Sequence, residues 1–477
     1  MLLFALLAGA LSDIVNKRHY LFGLEVILTI ISLIFAVMVL FNWVSPLLLL
    51  LFLFLDGAVS ALESPAWQSI VPELVPQKAL GSAISANSVG VNISRAIGPA
   101  IAGAIIGPWG IGAPFVVNAI SNFGVIGALV WWKEPKKTPT ALPVERVASA
   151  IRVGLRYSVN NPRLGSTLGR AIAVLLFASA YWALLPLEAR QQLGGGPELY
   201  GLLLGAIGLG AVIGAFWIRA WERTLGADRL VALGSIGTGV ALMLFAIARG
   251  PVVAAIASLI AGVCWIAIVA TLNVSAQIAL PEWVRGRGLA AYIAVFFGSL
   301  SLGSALWGQV AASAGISVAQ LAAAIGLVLA IPLTWRWKLQ FAQRLDLTPS
   351  MQWPTPVVAR KPENDDGPVL VTVYYQLVDQ HVRTDFLEGM AQLRRERLRD
   401  GAYRWGIYED IAQPGRFLET FLVESWLEHL RQHERVTKAD DVLQKVIHKL
   451  LRGEPQTTHL ISPTNPRGPH HGLKQIR

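Results

Sequence analysis

Apolar runs of about 20 residues recur along this chain, and each is long enough to cross the roughly 30 Å hydrocarbon core of a bilayer. They fall at 20–41, 45–62, 84–107, 110–132, 168–188, 199–218, 229–248, 252–274, 288–310 and 315–335. A segment in hydrocarbon has to satisfy its own N–H and C=O groups, so each run is predicted to be a helix. Residues 1–11 are apolar too, but they amount to only half a crossing. With 54% hydrophobic and only 15% charged residues, most of the chain is built for lipid rather than for water.

The runs form two similar halves. Trp67-Gln68-Ser69-Ile70-Val71-Pro72-Glu73 has a counterpart in Ser275-Ala276-Gln277-Ile278-Ala279-Leu280-Pro281-Glu282-Trp283. Each copy leads into a run rich in Gly, Ala and Ser, with Gly98 and Gly103 answered by Gly303 and Gly308. Two like halves in one orientation are the layout of a carrier that rocks around a central site.

The net charge of +10 lies in alternate loops, which argues against nucleic-acid binding. Lys17 and Arg18, then Lys133 to Arg163, then Arg219 to Arg229, then Arg285 and Arg287, and finally Arg336 and Lys338 mark one side. The intervening loops hold almost no Lys or Arg, so the basic side, with the C-terminus, is predicted to be cytoplasmic. The only cysteine, Cys264, sits inside a run, which leaves no disulfide framework. No basic n-region of a cleavable leader precedes the first apolar residues.

Charges inside the runs are candidate functional groups, because a bare charge at mid-membrane costs at least about 2.5–3.5 kcal/mol. Asp56, Ser60 and Glu63 share one helical face, and Ser88, Asn92 and Arg95 another. Asp56 lies about 15 Å along its helix, at the depth of Arg95. The two can form a static ion pair or a proton-linked switch. Asn118, Asn122, Thr271 and Asn273 are candidates for cavity lining, though interhelical hydrogen bonds account for them equally well. Trp182, Trp265 and Trp307 can line a cavity for an aromatic or amphipathic solute, whereas Trp131 and Trp132 read as an interfacial belt. Glu73 and Glu282, beside Gln68 and Gln277, suit helix starts.

Gly9-Ala10-Leu11-Ser12-Asp13, followed by Lys17-Arg18, resembles the loop between the second and third helices of the major facilitator superfamily. The resemblance implies that Met1 lies within the second helix, that the first helix is missing from this chain, and that a full-length protein carries one more span. It also implies a cytoplasmic latch in which Gly9 allows close helix approach, Asp13 meets a helix N-terminus, and Lys17 and Arg18 complete the charge network. The corresponding stretch of the second half, Gly214 to Arg223, is expected to be degraded, with Arg219 replacing the acid. Pro65 to Gln68, Val71 to Pro76, Asn87-Ser88, Arg95 to Ala100, Ala270 to Val274 and Leu280 to Arg287 are similar to the transmembrane secretion effectors, which include enterobactin-exporter-like carriers. Gly90, Gly98, Pro99 and Gly103 resemble, incompletely, the antiporter motif of drug–proton exchangers, with Ser94 in place of one Gly.

After Leu339 the composition changes. The expected organisation is a first transporter half at 1–135, a central cytoplasmic loop at 136–165 and a second half at 166–338. A linker at 339–367, a cytoplasmic α+β domain at 368–463 and a disordered tail at 464–477 follow. Strand, helix, two strands, two short helices and a last strand make a ferredoxin-like order. Trp405-Gly406, Phe421 to Trp426 and His429 to Arg435 resemble the dimeric antibiotic-biosynthesis-monooxygenase-like domains, which implies a homodimer through this part. His429 and His433 stand at metal-ligand spacing on one helix, but no third ligand is evident at a recognisable spacing, so no metal is expected.

The reading is an all-α polytopic protein of the major facilitator fold, two six-helix halves, with a ferredoxin-like domain appended. Its expected function is proton-coupled export of a small organic molecule, siderophore or drug-like, across a bacterial plasma membrane. Small-molecule substrate, protons and the lipid bilayer are its expected partners, and neither nucleic acid nor a cofactor is expected. No Walker-type phosphate loop supports ATP-driven transport. A membrane-anchored cofactor-free monooxygenase and a ligand-sensing receptor are the alternatives.

Overall fold

The computed structural model describes residues 8, 11, 15–75, 83, 86, 87, 90, 94, 98, 105, 109, 112–132, 147–339, 350 and 362–462. The chain divides into two compact units, 1–138 with 163–344, and 139–162 with 345–477. In chain order the main helices are α1 Lys17–Leu40, α2 Pro46–Leu74, α3 Ala113–Trp131, α4 Val147–Asn160, α5 Pro162–Leu187, α6 Pro197–Ile247, α7 Pro251–Ile278, α8 Arg285–Ala314 and α9 Ile316–Thr334. Strand β1 Val369–Gln376 follows, then α10 Arg383–Arg399, β2 Arg404–Glu409, β3 Arg416–Val423, α11 Trp426–Arg435, α12 Lys438–His448 and β4 Gln456–Ile461.

Among the described residues, nine helical segments are long and apolar enough to cross a membrane, with α6 supplying two of them. Local chemistry sets their starts. The Asn16 side chain accepts from His19 N at 3.0 Å, Ser45 Oγ accepts from Leu48 N at 3.3 Å, and prolines occupy the first turns of α2, α6 and α7. Gly226 (φ 75°) breaks α6 into its two arms, a backbone conformation closed to most side chains. Large apolar side chains such as Leu47, Phe216, Leu302 and Leu333 stay exposed, as a lipid-facing surface requires. The run at 84–107 lies largely outside the described residues.

Packing within this unit relies on small residues. A Cβ on Gly210 would collide with the Leu259 carbonyl, and one on Gly262 with the Ile207 carbonyl, so α6 and α7 touch backbone to backbone. A Cβ on Gly303 would likewise strike Leu176 O and Ser179 Oγ, bringing α8 against α5. Trp307 Nε1 donates to Leu176 O at 2.8 Å and fixes that approach.

The second unit is built on a four-stranded antiparallel sheet of order β2-β3-β1-β4. Its core joins Val369, Val371, Val373 and Tyr375 of β1 to Phe386, Met390 and Leu393 of α10, with Phe417, Phe421 and Val423 of β3. Glu419 lies on the same inward face of β3 and is fully buried. Arg397 meets it at 3.1 Å, Tyr375 Oη donates to it at 2.7 Å and Trp405 Nε1 at 2.8 Å.

Helix α4, which falls within the expected central cytoplasmic loop at 136–165, groups with the sheet unit. Arg152 and Arg156 of α4 each meet Glu424 at 2.9 Å, and Arg156 also donates to Gly401 O at 3.3 Å. Tyr157 is buried, with the Arg399 guanidinium 5.7 Å from its ring centroid. Arg399 in turn forks onto Asp440 (2.7 Å) and Asp400 (2.8 Å), tying α10 to α12. Arg156→Ala is expected to loosen α4 at a cost of about 1 kcal/mol, because this pair is partly solvated. Faster amide exchange across 147–160, with β1 and β3 unchanged, is the readout.

Glu396 of α10 provides a pH signature for this unit. Burial, and next Asp440, push its carboxyl up to about 8 against the pull of Arg399, and its Oε2 has no hydrogen-bond partner. Between the usual 4.5 and about 8 the folded chain holds a proton that the unfolded chain has released. Stability contributed by the protonated group is therefore complete below that window and falls as pH rises through it. Glu396→Gln is expected to be more stable than the parent at pH 8.5 by about 1–3 kcal/mol, and to match it near pH 4.5. Denaturation of unit two followed by amide exchange at the two pH values checks this.

Candidate functional site

In the membrane unit, α5, α7 and α8 bring an aromatic cluster together. Trp265 of α7 lies edge-on to Tyr181 (centroids 6.0 Å), Trp182 (5.6 Å) and Phe296 (6.1 Å), and Phe296 continues to Tyr292 (6.1 Å) and Phe297 (5.2 Å). Trp265 stands half-way along its 28-residue helix, about 20 Å from either end, which is the depth of a carrier's central site. Trp182 Nε1 and Tyr292 Oη are buried without a hydrogen-bond partner. Buried indole and phenol groups ordinarily find one, so these two suit a polar solute held among the rings.

Farther along α7 the polar residues pair with one another. Gln277 Nε2 donates to Asn273 Oδ1 at 3.3 Å, and Ser275 Oγ lies 2.8 Å from Thr167 Oγ1 across to α5. In the first half, Asn118 Nδ2 donates to Ser32 Oγ at 3.1 Å, linking α3 to α1. The cavity candidates therefore divide. Trp265 is at the centre of the cluster, whereas Asn118 and Asn273 make bonds within the helical framework. Asn122 is buried with its Nδ2 unpartnered.

Two carboxyl groups meet between α1 and α2. Glu63 accepts from Trp67 Nε1 and faces Glu25, whose Oε2 is buried without a partner. Glu25 escaped notice in the sequence, although a lone acid in the run 20–41 was the available signal. Glu188, fully buried where α5 widens into a π-helical turn, accepts from Gln320 Nε2 at 3.1 Å. It too stood visible as a charge at the end of a run. Asp56 is half-buried, while its expected partner Arg95, together with Asn92 and Pro99, lies outside the described residues; Gly98 is helical and exposed.

At the basic ends of the spans, each half ties down its last helix. Arg18 donates to Leu129 O (2.8 Å) and Val130 O (2.5 Å), the final carbonyls of α3, where a cation complements the helix dipole. In the second half, buried Arg170 meets Asp228 at 2.7 Å and donates to Thr334 O at 3.4 Å, the end of α9. Asp228 also accepts from Leu339 N at 3.0 Å, and Lys338 sits 4.4 Å above the Trp335 ring. The second half was expected to be degraded over Gly214 to Arg223, with Arg219 in place of the acid. Asp228 lies beyond that stretch, after the Gly226 break, and supplies a carboxylate to Arg170 from there. Lys17 is buried nearby on α1, whereas Gly9 and Asp13 lie outside the described residues.

In the sheet unit, His429 and His433 of α11 face His459 of β4. The Nε2 atoms of His429 and His433 are 3.3 Å apart. Burial, with His433 and His459 adding to it, holds His429 down to about 3, so its imidazole is neutral at physiological pH. Burial also lowers His459. The absence of an evident third partner in the sequence is thus corrected, because β4 supplies one through the fold.

A family model described as "Transmembrane secretion effector" matches residues 1–467. The chain belongs to this family of the major facilitator superfamily. The chain is 25% identical over 259 residues to the staphyloferrin A transporter of Staphylococcus aureus, covering 51% of this chain and 61% of that protein. It is 26% identical over 278 residues to the enterobactin exporter EntS of Escherichia coli, covering 57% and 65% respectively. Its alignments thus span less than two thirds of the length of these relatives. Among solved structures, the E. coli fucose:proton symporter FucP superposes with a TM-score of 0.55 at 15% identity, covering 71% of this chain and 88% of that one. An outward-facing bacterial homologue of ferroportin gives 0.54 at 17% identity, with 70% and 87% covered. At such identities these structures speak for the fold alone. The chain is a multi-pass membrane protein of a transporter family, and its resemblance to that family, drawn from the sequence, is borne out at this level.

Proposed function

We propose that this protein exports a small organic chelator of the siderophore class by alternating access, driven by protons. The observation that carries the reading is the aromatic cluster around Trp265, at mid-membrane depth, with the unpartnered Trp182 Nε1 and Tyr292 Oη among its rings. The roles of two relatives, staphyloferrin A transport and enterobactin export, support the solute class and the outward direction. The facing carboxyls of Glu25 and Glu63 support proton coupling, because ionisable groups inside membrane spans mark proton and ion pathways. Asp56 remains a second coupling candidate.

The basic loops support a cytoplasmic C-terminus. The strand order β2-β3-β1-β4, with helices after β1 and β3, supports a ferredoxin-like fold for the sheet unit, of the kind seen in antibiotic-biosynthesis-monooxygenase-like domains, and a homodimer through it. We assign that unit no catalysis.

Everted vesicles from cells making the intact protein test the reading. Uptake of a catecholate or carboxylate chelator that collapses when the proton gradient is discharged is the expected result. Uptake indifferent to the gradient would remove proton coupling, and no uptake of either chelator class would overturn the substrate assignment.

A further inference from the structure

We propose that His429, His433 and His459 form a binding site for a divalent transition-metal ion of the zinc type in the sheet unit. Geometry carries the inference. Two imidazole nitrogens bound to one tetrahedral ion, each about 2.0–2.1 Å from it, stand about 3.3 Å apart. The Nε2 atoms of His429 and His433 are separated by 3.3 Å, and nitrogen atoms of all three rings lie within 4.8 Å of one another. His459 is half-exposed on β4, so a modest rotation of its ring closes the triangle. Three imidazoles leave a fourth, solvent-facing position for water or an added ligand.

The surroundings fit the same assignment. His429 is buried at 1% exposure and its Nδ1 has no hydrogen-bond partner. Gln432 borders it, fully buried, with both atoms of its amide unpartnered. A histidine that gives one nitrogen to a metal donates from the other to a neighbouring acceptor. A turn of the Gln432 amide places its oxygen for that bond, which gives two otherwise costly buried groups a purpose. Trp426 walls the site, with its ring centroid 5.5 Å from that of His429 and 6.0 Å from that of His459. An all-imidazole donor set selects borderline ions such as Zn2+, Co2+, Ni2+ and Cu2+ over Mg2+ or Ca2+, which require oxygen ligands.

The experiment uses the full chain, purified through a tag that contains no histidine. Zn2+ binding is measured by competition with a chromophoric chelator, and Co2+ binding by its visible absorption. One ion per chain, a Co2+ spectrum of four-coordinate type, and a higher unfolding temperature with Zn2+ are expected. Because replacing His429 also disturbs the core, the deciding variants are His433→Gln and His459→Gln. Each is expected to weaken Zn2+ binding by about tenfold or more while leaving the far-ultraviolet spectrum intact. A His470→Asn/His471→Asn chain is expected to bind as the parent does. Failure of the parent chain to bind either ion at 100-fold molar excess would overturn the site. So would unchanged affinity in His433→Gln and His459→Gln, or loss of the ion with the His470/His471 pair.

Discussion

Trp265→Ala is expected to cut chelator efflux at sub-saturating concentration by about tenfold or more, with membrane insertion unchanged. The indole is the shared neighbour of Tyr181, Trp182 and Phe296, so its loss removes three ring contacts at once. A ring contact between this indole and a solute is worth about 0.5–1.5 kcal/mol, and 1.4 kcal/mol is a factor of ten in affinity. The discriminating measurement is concentration dependence in everted vesicles. If Trp265 holds solute, KM rises more than the maximal rate falls, and Trp265→Phe recovers much of the activity. A purely structural role would instead lower the amount of inserted protein and leave KM in place. Trp307→Phe is the control, because that indole is committed to the Leu176 carbonyl and is expected to affect folding before affinity.

Glu419→Ala is expected to destabilise the sheet unit by about 3–5 kcal/mol, enough to unfold much of it at growth temperature. The carboxylate is fully buried and holds Arg397, Tyr375 and Trp405 together. Its removal takes from the buried Arg397 cation, 5.0 Å from the Phe421 ring centroid, the carboxylate it pairs with. Replacing both members, Glu419→Met with Arg397→Met, is expected to cost much less, since apolar groups of similar size fill the space without orphaned charge. Amide exchange in β1 and β3 of the full chain reads both variants. Equal losses in the single and double variants would show that the cost is packing rather than charge.

The helices of the membrane unit could be read from composition, because hydrocarbon leaves the backbone no alternative. The strands of the second unit were legible from alternation, as in Phe417, Glu419, Phe421 and Val423 on the inward face of β3. The same alternation concealed that one inward residue is an acid, since a buried charge depends on partners far away in sequence. Distance in sequence also hid His459 from His429, and Asp228 from Arg170. For Asp228 the difficulty was specific. Asp228 stands nine positions past Arg219 and just beyond the Gly226 break, outside the stretch whose spacing matches the first half. Glu25 and Glu188 were within reach of a simple rule, that any charge inside an apolar run requires explanation. Asn118 illustrates the converse, a polar residue visible in its run whose role only a neighbour such as Ser32 could define.

The placement of α4 bears on how this chain is made. Residues 139–162 emerge from the ribosome long before residues 345–477, yet the two stretches share one compact unit. Until synthesis finishes, Val153 and Tyr157, both buried in the mature fold, have no surface to cover them. A ribosome stalled inside the last membrane helices would therefore release a product with a sticky, unfinished centre, and quality-control proteases would find their substrate in its middle.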